Sequence, residues 1–365
     1  MEIKYPDFKN SIVNLASSIK KHFNKDLVLD YPSIKLVDDL ILDKNKVVVV
    51  LLDGCGINII NGNLDDDAFL KRRMVGEMTS IFPPTTVAAT NSFLKGCLPG
   101  EHGWFGWEQY FPEYDKHITM FKNEGYYTGE KLDPSLISKY VNYHDFGWDL
   151  GVKYNSIFPD FVPGGAKDFS EEINRVIDVI NKDEKSFTYV YWTNPDGLIH
   201  EHGCFNPVIK ANLINLSSDL ERLEANLNDD TIVLVIADHG LVDVSGIDLA
   251  YYKNVNKFFR VLPSLEGRAT VFYVNDLDGF RCEFNKEFGK WFNLLTTEEF
   301  LKLDLVGKKN DKVLPFLGDY IALAKDKYYF YHSNGRVEDI FLMKGHHAGI
   351  TKDEMMIPLI VLKRR

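Results

Sequence analysis

Lys46-Val47-Val48-Val49-Val50-Leu51-Leu52-Asp53-Gly54 is the stretch that decides the fold. Residues 47–52 are apolar without interruption and begin β-branched, so no face is left for water, and a strand with this pattern must be covered on both sides. Asp53-Gly54 then breaks it at once. An acid in that place stands at the carboxyl end of a buried strand, where open α/β sheets put their sites.

Working outward, residues 187–193 and 231–237 repeat the pattern, the first stopped by Pro195, and 357–362 is a fourth run of the same kind. Helical periodicity separates them. Residues 11–23 place Ile12, Leu15, Ile19 and Phe23 on one side, and 169–181 and 207–227 are further helices. Residues 85–94 read as a helix launched by Pro83-Pro84-Thr85-Thr86, with one threonine expected as its cap and Gly96 as its stop. The expected class is α/β. Residues 105–127, rich in aromatics and loop formers, read as irregular wall around a pocket. After Val244 the pattern changes: strand-like runs in 258–275 joined by Pro263 to Gly267, a helix at 285–294, and an edge strand at 328–332 turned by Ser333-Asn334-Gly335. The expected organisation is a catalytic core of 1–247 plus 341–365 and a smaller α+β insertion or cap of 248–340.

A formal charge of −11 speaks against a general nucleic-acid surface, which needs a basic stripe to displace counterions. No apolar run approaches the roughly 20 residues of a membrane span, and Met1–Asn10 holds no apolar stretch of a leader. The four cysteines, Cys55, Cys97, Cys204 and Cys282, form no CxxC pair, which suits a reducing compartment. A cytoplasmic protein is expected, with no nucleic-acid polymer or membrane as partner and with its oligomeric state left open.

Metal-ligand residue types gather at the strand ends. Asp196 and His200 follow the second strand four residues apart, a spacing that brings both onto one face if the intervening residues start a helical turn. Asp238-His239 follows the third. Adjacent side chains diverge, so that pair serves either two metals or one shared metal reached from a tight turn. Asp53 alone reads equally as a turn acid, and His347 alone as a loop histidine. Together the four segments point to divalent metal bound by carboxylate oxygen and imidazole nitrogen, a donor set suited to Zn²⁺.

The motifs Leu52-Asp53-Gly54, Phe82-Pro83-Pro84-Thr85-Thr86, Pro99-Gly100-Glu101-His102-Gly103, Pro195-Asp196-Gly197-Leu198-Ile199-His200, Ala237-Asp238-His239-Gly240 and His347-Ala348-Gly349 resemble, in order, those of the type I phosphodiesterase/nucleotide pyrophosphatase family of the alkaline phosphatase superfamily. The resemblance runs from about 46 to 362. It implies an alkaline-phosphatase-like three-layer sandwich around a central, mostly parallel sheet, and two Zn²⁺ ions. Asp196, His200 and His347 resemble the ligands of one ion, and Asp53, Asp238 and His239 those of the other. Thr86 matches the nucleophile that would form a phosphothreonine, with Thr85 as its rival and as a local cap or supporting donor.

His102 matches a structural turn, while His202 and His346 are supporting candidates, His346 being the alternative to His347. Where related pyrophosphatases carry an asparagine after the His-Gly turn, this chain reads Gly106-Trp107, so Trp107, Trp104 and Tyr110 are the expected apolar wall for the substrate. The expected substrate is a small phosphorylated molecule, a nucleotide being one option, cleaved at a phosphodiester or phosphoanhydride bond. A phosphonoacetate-type C–P hydrolase or a phosphomonoesterase would share the metal site, with Lys95 or Lys344 as the extra cation a monoester needs. A non-catalytic metal-binding protein is the alternative from another class.

Overall fold

The computed structural model describes residues 1–182, 184–308, 310–334 and 342–364. Its main sheet has six strands in the order Met74–Thr79, Met356–Lys363, Thr231–Ile236, Lys46–Leu52, Ser186–Trp192, Lys153–Ile157. Lys46–Leu52 is buried along its whole length and lies parallel to both neighbours, Val47 pairing with Phe187 on one side and Ile232 on the other. Helices cover both faces: Ile12–Phe23 packs on Thr86–Lys95, while Pro207–Ala225 packs on Phe169–Ile180 and Ile57–Asn63. This is the expected α/β sandwich.

Met356–Lys363 runs antiparallel to Thr231–Ile236. Its reversed direction matters, because the chain enters this strand at the edge where the parallel strands leave the sheet. A loop that precedes it therefore meets loops that follow the others.

A second, antiparallel sheet has seven strands in the order Phe292–Thr296, Tyr320–Ala324, Ala269–Val274, Phe259–Leu265, Glu108–Phe111, Lys116–Thr119, Glu124–Gly125. Two sequence expectations are corrected here. Residues 105–127 wall a pocket but are not irregular throughout: three short strands from this stretch extend the sheet, and their brevity hides any alternation. The helix expected at 285–294 is Leu277–Phe288, followed by the strand Phe292–Thr296. Asp276 caps it by accepting from the Gly279 N–H, and Phe280, Phe284 and Phe288 form its buried stripe. The apolar run continues through Trp291 and Phe292, which pulled the expected helix too far along the chain.

Pro263, expected as a joint, lies inside the Phe259–Leu265 strand at a register shift, and the turn is Glu266 to Arg268. Tyr328–Tyr331 pairs in parallel with Ser245–Asp248 as a separate two-stranded sheet. Of the turn expected after it, Gly335 lies outside the described residues, as does 335–341 at the expected end of the insertion.

Candidate active site

Three parallel strands leave the sheet side by side, and their ends carry the acids. Lys46–Leu52 runs into Asp53, Ser186–Trp192 runs through Pro195 into the helix Asp196–His202, and Thr231–Ile236 runs into Asp238-His239. The loops are stitched to one another: the Asp196 N–H donates to the Asp53 carbonyl at 3.0 Å and the Gly54 N–H to Asp238 Oδ1 at 3.0 Å. Gly54 is required there, since φ is 70° and a Cβ would lie 2.8 Å from that of Asp196. The fourth segment arrives from the strand that runs the other way. Gly345–His346 pairs with Val242–Asp243, which sets His347 against the Asp238-His239 turn.

All six expected ligands and Thr86 converge. The ligand atoms of Asp53, Asp238 and His239 lie within 4.8 Å of one another, as do those of Asp196, His239 and His347, and those of His200, His346 and His347. Asp196 bridges two of the imidazoles, with Oδ2 at 3.1 Å from His200 Nε2 and Oδ1 at 3.7 Å from His347 Nε2. His239 Nε2 is 3.5 Å from both Asp53 Oδ1 and Asp238 Oδ2, and its ring stacks on that of His347 with centroids 3.9 Å apart.

Backbone carbonyls choose the tautomers. The Nδ1 atoms of His200, His239 and His347 face the carbonyls of Gly345, Gly240 and Pro84 at 2.8, 3.1 and 3.2 Å. With Nδ1–H donating, each Nε2 is left with a lone pair directed at carboxylate oxygens. Acceptor facing acceptor is the arrangement a cation fills. Asp196 Oδ1 and Asp238 Oδ2 are buried with no hydrogen-bond partner among the described residues, which fits the same conclusion. Burial, with Asp238 and Asp196 nearby, pushes the Asp53 carboxyl well above the usual range, and burial raises Asp238 too. Burial holds His346 and His347 well below the usual imidazole value, hence neutral and able to ligate. These oxygen and nitrogen donors fit divalent metal, Zn²⁺ among them.

Thr86 opens the helix Thr86–Lys95, and its Oγ1 stands 3.2 Å from both Asp53 oxygens and 3.2 Å from His239 Nε2. Thr85, the rival, is turned away: it occupies the N-cap position without capping and donates instead to Glu266 Oε1 at 2.8 Å. Neither threonine side chain caps the helix, contrary to expectation, so its first amides stay open toward the cluster. Open amides at a helix start are suited to an anion.

The cluster floors a cavity of about 1220 Å³ whose walls include Trp107, Phe121, Tyr127, Phe158, Phe161 and Tyr191. Trp107 is where the sequence placed it. Trp104 and Tyr110 are not wall residues: both are buried in the core of the second sheet, Trp104 donating to the Asn142 carbonyl and Tyr110 to Asp115. Trp107, Phe121 and Tyr127 stand outside the short strands of this region and reach the cavity, while Trp104 and Tyr110 pack into the core, and composition alone does not show which aromatic goes where. His102 is buried against Ser92, with its pKa pushed down to about 3 by burial, and His202 sits beside Glu201 away from the cluster. Lys95 pairs with Asp145.

Two residues escaped the sequence reading. Tyr191 donates its phenol to Asp53 Oδ2, yet within an apolar strand nothing separates it from a core tyrosine. Glu266 is buried in a β-turn, where an acid ordinarily faces water, and burial pushes its pKa up to about 7.

A family model for type I phosphodiesterase/nucleotide pyrophosphatase matches residues 47–354. The chain belongs to this family. It is thus a phosphodiesterase/pyrophosphatase-type hydrolase. Solved structures of the same fold include murine ectonucleotide pyrophosphatase/phosphodiesterase 5, as an inactive variant in complex with AMP, at 16% identity and TM-score 0.65, covering 86% of this chain and 87% of that one. The human ectonucleotide pyrophosphatase/phosphodiesterase 5 structure aligns at 15% identity and TM-score 0.63, covering 86% and 87%. Phosphonoacetate hydrolase from Sinorhizobium meliloti 1021, in complex with phosphonoformate, aligns at 16% identity and TM-score 0.62, covering 87% and 90%. No curated protein sequence matches the chain. Among the described residues no helix is long and apolar enough to cross a membrane.

Proposed function

We propose that this enzyme cleaves phosphodiester or phosphoanhydride bonds of a small substrate, nucleotides included, through a phosphothreonine on Thr86, with two Zn²⁺ ions bound. Asp196, His200 and His347 would hold one ion and Asp53, Asp238 and His239 the other. The observation that carries the reading is Thr86 Oγ1 at 3.2 Å from Asp53 and His239, at an uncapped helix start. Bound dications would lower the hydroxyl pKa and neutralise charge on the phosphoryl group.

The chain itself supplies orientation. Asp53, steadied by the Tyr191 phenol, and His239 hold the threonine oxygen against the open helix amides, so a phosphoryl oxygen seated on those amides presents phosphorus to Thr86. The Thr86 O–P bond forms as the bond to the leaving oxygen breaks, and the hydroxyl proton passes by way of water to that leaving oxygen. Water then attacks the phosphothreonine, phosphate ester or phosphate departs, and the hydroxyl is restored.

The cavity supports a diester or anhydride over phosphonoacetate, because about 1220 Å³ walled by aromatics is far larger than that small dianion needs. A purely structural metal site would have no use for Thr86 in this place. We also propose that the described part of 248–340, together with the strands of 108–125 that extend its sheet, acts as a cap on the rest of the chain, since Leu249, Glu266 and Tyr329 to Ser333 line the same cavity. A cytoplasmic location is supported by four cysteines that all remain thiols.

The test is a screen of zinc-loaded protein against a bis-aryl phosphodiester, a nucleotide pyrophosphate ester, an aryl monoester and phosphonoacetate, with mass-spectrometric trapping of the intermediate. Turnover of the first two and a phosphate adduct on Thr86 are expected. Turnover of phosphonoacetate alone, or an adduct on Thr85, would overturn the proposal.

A further inference from the structure

Two carboxylates that phosphoryl transfer does not use line the same cavity. Glu266 is 8% exposed and Glu108 6%. Glu108 stands on one strand and Glu266 in the turn that follows its neighbour, Leu265 pairing with Glu108. Glu266 Oε1 accepts from the Trp107 N–H at 2.7 Å and from Thr85 Oγ1 at 2.8 Å, and Glu108 Oε1 is paired with His117 Nδ1. The second oxygen of each takes no hydrogen bond from the described residues. Leu265 is held at φ 85°, a conformation that a side chain such as leucine resists, at the point where the strand turns to deliver Glu266.

No lysine or arginine among the described wall residues neutralises this pair. Lys122 is the sole residue of either type in that lining, and its ammonium lies over the Trp107 ring at 5.8 Å and 3.9 Å from Glu124. Buried carboxylates with one oxygen each still open, walled by aromatic faces, gain from a further donor, and both features favour the same visitor: a cation bearing N–H groups.

We infer that this wall receives the organic group of the substrate and selects one carrying a protonated amine, with Glu266 and Glu108 as its acceptors. The inference rests on the phosphoryl-transfer reading for its reaction but not for its binding. A charge-assisted hydrogen bond to a buried carboxylate sets the expected preference for the amine at about tenfold or more.

The experiment compares p-nitrophenyl 2-aminoethyl phosphate with p-nitrophenyl ethyl phosphate on the zinc-loaded enzyme, reading nitrophenolate release in the wild type, Glu266→Gln and Glu108→Gln. The wild-type kcat/KM ratio of amine to ethyl ester is expected at about ten or above, falling toward one in both variants. A wild-type ratio at or below one, or a ratio unchanged in both variants, overturns the inference. Calorimetric binding of 2-aminoethyl phosphate against ethyl phosphate gives the same ratio without turnover. Amine-selective binding with no turnover of either ester defeats the reaction and leaves this inference standing; turnover with no amine preference does the reverse.

Discussion

The guanidinium of Arg268 grips the carboxylate of Glu354 through two hydrogen bonds, 2.6 and 2.9 Å long, and neither side chain has any exposure. Glu354 also accepts from the Gly349 N–H at 2.7 Å, next to His347-Ala348, and its carbonyl accepts from the Gly240 N–H at 2.9 Å, next to Asp238-His239. Arg268 in turn donates to the Asp326 and Tyr328 carbonyls. One ion pair thus ties the two loops that carry Asp238-His239 and His347 to the second sheet.

Replacing Arg268 by Met strands the Glu354 charge in the interior. Such a loss costs about 3–5 kcal/mol. Urea denaturation of R268M is expected to show it, together with weaker zinc retention on dialysis; a cost below about 1 kcal/mol would mean the pair holds nothing in place.

Thr86→Ala is expected to reduce kcat by about a thousandfold or more while zinc content is unchanged, since the attacking oxygen is gone. Thr85→Ala removes only a donor to Glu266 and should cost far less, about tenfold. Rate measurements beside elemental analysis check both, and the reverse order would reassign the nucleophile.

Two equivalents of zinc are expected on reconstitution, and chelation should abolish turnover and lower the Tm. Asp238→Asn strikes only one proposed set of ligands, so zinc content should fall toward one equivalent. Retention of two equivalents would show that the sets are drawn wrongly.

Glu172 offers a stability prediction away from the site. It has no exposure, neither carboxylate oxygen has a partner among the described residues, and burial pushes its pKa up to about 9. A folded-state pKa above the unfolded one means the native protein binds the extra proton between about pH 4.5 and 9, so stability from this group falls as pH rises through that window. Glu172→Gln should therefore stabilise the protein at pH 8.5 by about 1–3 kcal/mol and have little effect at pH 4.5. Equal denaturation midpoints at pH 8.5 would refute it.

Much of the fold was legible because central strands cannot hide. Lys46–Leu52 and Thr231–Ile236 are buried on both faces and must read as unbroken apolar runs. The sheet's edges were not: Lys153–Ile157 carries Lys153, Asn155 and Ser156, partly solvated, and has the composition of a loop. The clustered acids were legible for a similar reason, since an acid closing a buried strand is costly unless a cation or a proton meets it. Glu266 was not, because only tertiary packing distinguishes a turn glutamate in water from one sealed against Thr85 and Trp107.

The final strand's reversed course has a bearing on biosynthesis. Asp53 emerges from the ribosome early and His347 nearly three hundred residues later, and the two are brought to one edge only when Met356–Lys363 docks beside Thr231–Ile236. A chain ending just short of that strand carries Thr86, all three acids and the histidines, but lacks the pairing that holds His347 beside them. The cluster is therefore complete only in a chain whose last strand is paired.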